Sequence, residues 1–181
     1  MSAGTHRSAG PRRVACAVLT VSDTRRPGTD RSGAWLGSRL VRAGHAVTAA
    51  AIERDEPRAV RARLRLWARD QRAQVILVTG GTGIAPRDRT YEAVAGLLEK
   101  RLDGFGELFR ALSYREIGAA AMLSRAVAGT WRGQVLFLMP GSPAAVRLAL
   151  ERLILPELPH VAGLLAGASR RPRRTGRMVR R

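Results

Sequence analysis

The sequence predicts an α/β fold with a mostly parallel sheet, on three observations. Short apolar runs of buried-strand length recur along the chain. Stretches with apolar residues at helical spacing lie between them. Polar or glycine-rich clusters stand directly after the runs, where such a sheet presents its carboxyl ends. With 181 residues, 45% of them hydrophobic, the chain is long enough for one domain with a real core. No internal repeat or linker divides it. The expected boundaries are a disordered basic tail over 1–13, one folded domain over 14–168, and a disordered arginine-rich tail over 169–181.

The elements follow in order. Val14 to Val21 is a buried strand, ended by Ser22-Asp23-Thr24 and the Pro27-Gly28 loop. Asp30 and Ser32 are cap candidates for a helix through Ala43, with Trp35, Leu36 and Leu40 as its apolar stripe and Gly44 as its stop. Ala46 to Glu53 is a weaker strand. Asp55-Glu56-Pro57 opens a helix in which Val60, Leu64 and Trp67 share a face. Gln74 to Val78 is the third strand and leads into Thr79-Gly-Gly-Thr-Gly83. A helix starting at Thr90 is expected to run to about Lys100, and residues 105–127 read as one or two helical pieces broken near Gly118. Gln134 to Met139 is a fourth strand, ended by Pro140-Gly-Ser-Pro143. The helix from Ala144 to about Leu155 is expected to break at Pro156 and Pro159.

Charge and cysteine content bound the function classes. Of the net charge of +18, ten units sit in the two tails, which hold arginines and no acid. Lys100 is the only lysine. The tails lack aromatic residues for base stacking, and no DNA- or RNA-binding motif occurs, so the charge does not point to nucleic acid as the partner. The single cysteine, Cys16, lies in an apolar run and reads as a small core residue in a reducing compartment. No apolar run is long enough for a membrane span or a signal peptide, so a cytoplasmic location is expected.

Four polar loops fall at strand ends on one edge of the sheet: Ser22-Asp23, Asp55-Glu56, the glycine loop and Pro140-Gly-Ser-Pro143. Known phosphate loops fail as a match. A Walker A loop needs a lysine that is absent, and the dinucleotide fingerprint meets Pro86 where its third glycine belongs. What remains is a turn whose backbone N–H groups and Thr82 hydroxyl can cradle an anion. Asp55 and Asp88 each read as a helix cap when taken alone. Together they are two carboxylates flanking that cradle, a pair suited to Mg²⁺. Arg87 is either a phosphate contact or a surface arginine, and Ser142 either a ligand contact or a cap. The histidines His6, His45 and His160 are isolated.

Assembled in order, these stretches carry a family resemblance. Thr20-Val-Ser-Asp-Thr-Arg25, Asp30-Arg-Ser-Gly33, Asp55-Glu-Pro57, Thr79-Gly-Gly-Thr-Gly83, Arg87-Asp-Arg-Thr-Tyr-Glu-Ala93, Gly104-Phe-Gly-Glu-Leu-Phe-Arg110, Ile117-Gly118, Ser124-Arg-Ala126 and Met139-Pro-Gly-Ser-Pro143 resemble the MoaB/Mog molybdenum cofactor biosynthesis proteins over about residues 14–165. The resemblance implies a three-layer α/β/α fold with a mostly parallel central sheet that binds molybdopterin, usually as a trimer or hexamer. It implies Mg²⁺- and ATP-dependent adenylylation of molybdopterin, and contact with other molybdenum cofactor enzymes. By motif, Asp55 and Asp88 are the implied catalytic and metal-binding acids. Gly80, Gly81, Thr82 and Gly83 hold phosphate or pterin; Ser22, Asp23, Glu107, Gly141 and Ser142 line the pocket. The alternative is a non-catalytic molybdopterin-binding or scaffolding protein of the same fold. Tyr91, where proline is common, and Met139, where leucine is common, depart from the pattern.

Overall fold

Strands buried on both faces divide their side chains between two layers, and this chain does so with period two. In β1 (Ala15–Val21), Cys16 and Val18 enter one core while Ala17, Leu19 and Val21 enter the other. In β3 (Val75–Thr79) and β6 (Gln134–Met139), Val75, Leu77, Val135 and Phe137 join the first; Ile76, Val78, Leu136 and Leu138 join the second. These assignments come from a computed structural model that describes residues 10–169. Of the tails expected to be disordered, 1–13 and 169–181, residues 1–9 and 170–181 lie outside the described residues, and Ser169 is the last residue of a helix.

The sheet has six strands in the order β2-β1-β3-β6-β5-β4, where β2 is Ala46–Glu53, β4 Lys100–Arg101 and β5 Val127–Trp131. The first four in that order run parallel; β5 pairs antiparallel with β6 and β4 antiparallel with β5, so only β5 opposes the rest. On one face lie α1 (Arg31–Arg42), α4 (Asp103–Ile117) and the long C-terminal spiral, contributing Leu36, Leu40, Phe105, Phe109, Val146, Leu150 and Ile154. On the other lie α2 (Pro57–Asp70) and α3 (Thr90–Ala95), contributing Val60, Leu64, Trp67 and Val94. The result is the expected three-layer α/β/α arrangement. The chain leaves β1 for β2 on one side and returns to β3 on the other. The carboxyl ends of β1 and β3 therefore flank the crevice where such sheets bind ligands.

Three expectations need correction. The helix from Thr90 stops at Ala95 rather than near Lys100. Gly96 caps it, and Lys100–Arg101 pairs instead with Gly129–Thr130. Residues 105–127 do give two helical pieces that meet at Gly118, α4 and a 3₁₀ turn over Gly118–Leu123, but Val127 already opens β5, a strand the sequence did not predict. A two-residue turn joins β5 to β6, with Arg132 at φ 50° and Gly133 at φ 78°, both left-handed as a tight hairpin requires. Pro156 and Pro159 do not end the last helix. The spiral runs from α5 (Pro143–Ala149) through a π turn (Leu150–Ile154) into α6 (Leu155–Ser169). The wider turn just before Pro156 gives room to a ring that would otherwise crowd the preceding turn.

Cys16 is fully buried, and desolvation pushes its thiol pKa up to about 12. Phe109 is also buried, at 1% exposure, with Phe105 beside it at 6.4 Å between ring centroids. Phe109→Ala is expected to lower unfolding free energy by about 3–5 kcal/mol, as measured by urea denaturation.

Candidate functional site

Thr79 closes β3, and its hydroxyl donates to the Pro140 carbonyl at 3.2 Å; the next amide, Gly80 N–H, donates to the Met139 carbonyl at 3.1 Å. These bonds bring the glycine loop beside the Pro140–Pro143 loop, where a Cβ on Gly141 would lie 3.2 Å from the Gly80 Cα. Gly80 (φ 102°) passes so close to β1 that a Cβ would overlap the Val21 carbonyl oxygen. Gly81 (φ 62°) leaves no room for a Cβ beside Asp55 Oδ2 and Thr90 Oγ1. At Gly83 a Cβ would strike Asp88 Oδ2. Three glycines thus let one loop run between a strand end and two carboxylates.

Neither carboxylate caps the helix that follows it. The cap position of α2 is Glu56, with no side-chain bond, and that of α3 is Arg89, likewise without one. Asp55 Oδ1 instead accepts from the Thr90 hydroxyl at 2.7 Å and the Arg89 amide at 3.4 Å, tying the end of β2 to the start of α3. Asp88 Oδ2 accepts from the Ala85 amide at 3.2 Å and folds the loop back on itself. Asp23 links three segments: Oδ1 accepts the Asp55 amide at 3.1 Å and Oδ2 pairs with Arg87 at 2.8 Å. Arg87 is therefore already matched to an acid.

The loop leaves a row of backbone donors open. Among the described residues, the N–H groups of Gly81, Thr82, Gly83 and Ile84 have no protein acceptor. Unpaired backbone amides in a glycine-rich turn are the groups by which proteins receive anions. Beside it, a cleft of about 470 Å³ is lined by Pro57, Ile84, Asp88, Arg89, Glu92 and Arg125.

The sequence gives Arg125 no role beyond its place in a motif. In the fold its Nε donates to the Thr82 carbonyl at 2.9 Å, and one terminal nitrogen donates to the Gly83 and Asp88 carbonyls at 2.6 and 3.3 Å. The other terminal nitrogen pairs with Glu92, and the guanidinium lies 4.7 Å from the Tyr91 ring centroid. The Arg125 guanidinium holds the Glu92 carboxyl pKa below its ordinary value. The only sequence signal for this residue was its place in the Ser124-Arg-Ala126 stretch.

The remaining expected residues divide. Ser22 Oγ accepts the Thr24 and Arg25 amides at 3.3 and 3.1 Å and closes its own turn. Ser142 Oγ accepts the Ala145 amide at 3.3 Å and caps α5, while the Gly141 carbonyl accepts from Ser32 at 2.9 Å. Thr82 is buried within the loop. Glu107 is exposed on α4, outside the contacts that join the four loops.

The carboxyl-end loops of this sheet place an open amide row beside two acids, the arrangement of an α/β ligand-binding domain. The family model described as "Probable molybdopterin binding domain" matches residues 17–160, and the chain belongs to that family, which includes the MoaB and Mog proteins. It is 50% identical over 162 residues to "Molybdenum cofactor biosynthesis protein B" of Halalkalibacterium halodurans, covering 89% of this chain and 95% of that protein. The Bacillus subtilis protein of the same name is 48% identical, with 89% and 95% covered. Among solved structures, a "Molybdenum cofactor biosynthesis protein B" matches with TM-score 0.84 and 48% identity, covering 87% of this chain and 98% of that one. The "tungsten cofactor synthesizing protein MoaB" of Pyrococcus furiosus matches at TM-score 0.73 and 38% identity, with 83% and 96% covered.

Two outcomes test this geometry. Gly80→Ala is expected to cost more than about 1 kcal/mol in urea unfolding, because left-handed backbone and steric overlap coincide. Gly28→Ala, with nothing within 4 Å of its added Cβ, stays within about 0.5 kcal/mol of the parent. The Glu92 carboxyl is expected to titrate below free glutamate by ¹³C NMR and to return toward the ordinary value in Arg125→Met. Its folded pKa is depressed, so its contribution is present above the unfolded pKa and lost as pH falls through the folded one.

Proposed function

We propose that this chain serves molybdenum cofactor biosynthesis by adenylylating molybdopterin with ATP and Mg²⁺. The observation that carries the reading is the row of unpaired amides at Gly81–Ile84 set between Asp55 and Asp88. An open amide row suits a phosphoryl group, and phosphoryl transfer depends mainly on positioning and charge stabilisation. Family membership and the relatives' names supply the substrate class.

In the reaction, a terminal phosphate oxygen of molybdopterin attacks the α-phosphorus of ATP. The new O–P bond forms as the bond to the β-phosphate bridging oxygen breaks, and pyrophosphate leaves with that electron pair. The attacking phosphate is already ionised near neutral pH, so no general base is required. The amides of Gly81–Ile84 hold the phosphate chain, with Gly80 and Thr82 shaping the turn. Ser22, Asp23, Gly141 and Ser142 stand on the neighbouring strand-end loops, whereas Glu107 on α4 has no part in this arrangement.

The residues present fit a magnesium ion. Among the described residues nothing donates a hydrogen bond to Asp55 Oδ2 or Asp88 Oδ1, and both are hard oxygen donors beside the amide row. Among the described residues no group of three His, Cys, Asp or Glu side chains forms a metal cluster, so the ion would complete its shell with phosphate oxygens and water. Bound there, it would neutralise charge on the α- and β-phosphates. Asp23, by accepting the Asp55 amide, keeps that acid in place, and by pairing with Arg87 it pins the loop.

Self-association fits the surface. Tyr114 and Ile117 of α4 are 64% and 53% exposed, and Met122 and Leu123 of the following turn are 78% and 53% exposed. An apolar patch of this kind suits an interface between copies of the chain, in a trimer or hexamer.

The deciding experiment is adenylyl transfer with molybdopterin, ATP and Mg²⁺, comparing the parent with Asp88→Asn. The parent is expected to form adenylylated molybdopterin and pyrophosphate, and the variant to lose at least about a hundredfold in turnover. A parent that binds molybdopterin yet forms no product is instead a pterin holder.

A further inference from the structure

We infer that Arg125 is the positioning residue of the phosphate cradle: its guanidinium aims the loop's open amides without touching the ligand. The inference rests on the cradle reading given above. Its basis is peptide geometry. In a planar trans peptide the carbonyl of one residue and the N–H of the next point in opposite directions, and no cis bond occurs among the described residues. Arg125 collects the carbonyls of Thr82, Gly83 and Asp88. The N–H groups of Gly83 and Ile84 are thereby turned away from it, and both belong to the unpaired row. The third carbonyl turns the Arg89 N–H away in the same manner, and that amide reaches Asp55 Oδ1. One side chain thus sets two cradle donors and one contact of a metal-binding acid.

Arginine suits this place for a stated reason. Four of its five N–H donors are committed, to three carbonyls and to Glu92, while its flat face rests on Tyr91. A lysine has three donors on a point charge and no plane to stack, so it cannot span the same carbonyls. With four of its five donors committed and its side chain only 25% exposed, Arg125 differs from Arg87, which lies 65% exposed and bonded to Asp23. Arg125 also enters from the segment just before β5, so it fastens the loop to a strand distant in sequence.

The test is titration of the ¹⁵N-labelled full chain with inorganic pyrophosphate, following backbone amides and the Arg125 Nε–H. In the parent, the Gly83 and Ile84 amides are expected to shift with saturation while the Arg125 Nε–H stays protected from solvent exchange throughout. Arg125→Lys is expected to raise the pyrophosphate Kd at least about tenfold with its melting midpoint near the parent's. A purely structural arginine would lower the midpoint and leave the Kd of the folded chain unchanged, which overturns the inference. So would an Arg125 Nε–H that loses its protection as pyrophosphate binds, since the side chain would then be a ligand contact; this readout stands even if the variant unfolds. If pyrophosphate leaves all four amides of the parent unmoved, the cradle reading itself fails, and the positioning role falls with it.

Discussion

The site depends on three missing β-carbons. At the crevice between β1 and β3 the loop must pass against the Val21 carbonyl and then between Asp55 and Asp88. Gly80, Gly81 and Gly83 are the positions where a Cβ would overlap those groups. Only because the backbone comes that near can Asp55 reach the Thr90 hydroxyl and the Arg89 amide, joining the end of β2 to the helix after β3. Without that approach the acids and the amide row would stand apart. The loop's conformation is a packing constraint as much as a chemical one.

Around this constraint the chain separates donors from acceptors. Carbonyls of Thr82, Gly83 and Asp88 turn to Arg125, and Asp23 takes Arg87 and the Asp55 amide. Arg125, Arg87 and Asp23 are thus matched within the protein, while four backbone amides are left open. Fixed backbone dipoles of this sort need no reorganisation when negative charge arrives. The segments that hold the loop come from β1, β2, α3 and the stretch before β5. Its shape is therefore a property of the whole sheet edge.

Much of the fold was legible because burial writes a pattern. The runs at 14–21, 74–78 and 134–139 became strands divided between two cores, and Asp30 caps its helix as read, accepting the Gly33 amide at 2.9 Å. The β5 strand was not legible: Val127-Ala-Gly-Thr-Trp131 is short, holds a glycine, and turns through Arg132-Gly133 rather than a strong hairpin pair. Its strand character comes from pairing with β6 and β4, which local spacing does not record. Pro156 misled for a related reason, since a π turn just before it absorbed what a regular helix could not.

The sequence by itself determined the α/β class, the four strand-end loops and the residue types at the site. Those follow from periodicity and glycine placement, which are local. Tertiary structure alone decided what each polar side chain does. Asp55 and Asp88 sit where caps belong in sequence yet bond across the loop, and Ser142, an equal candidate, is the one that caps. Arg125 lies more than forty residues from Thr82 and Gly83 in sequence. Hydrogen-bond partners at such separations are chosen by how strands order and helices pack, and a linear pattern carries no record of that choice.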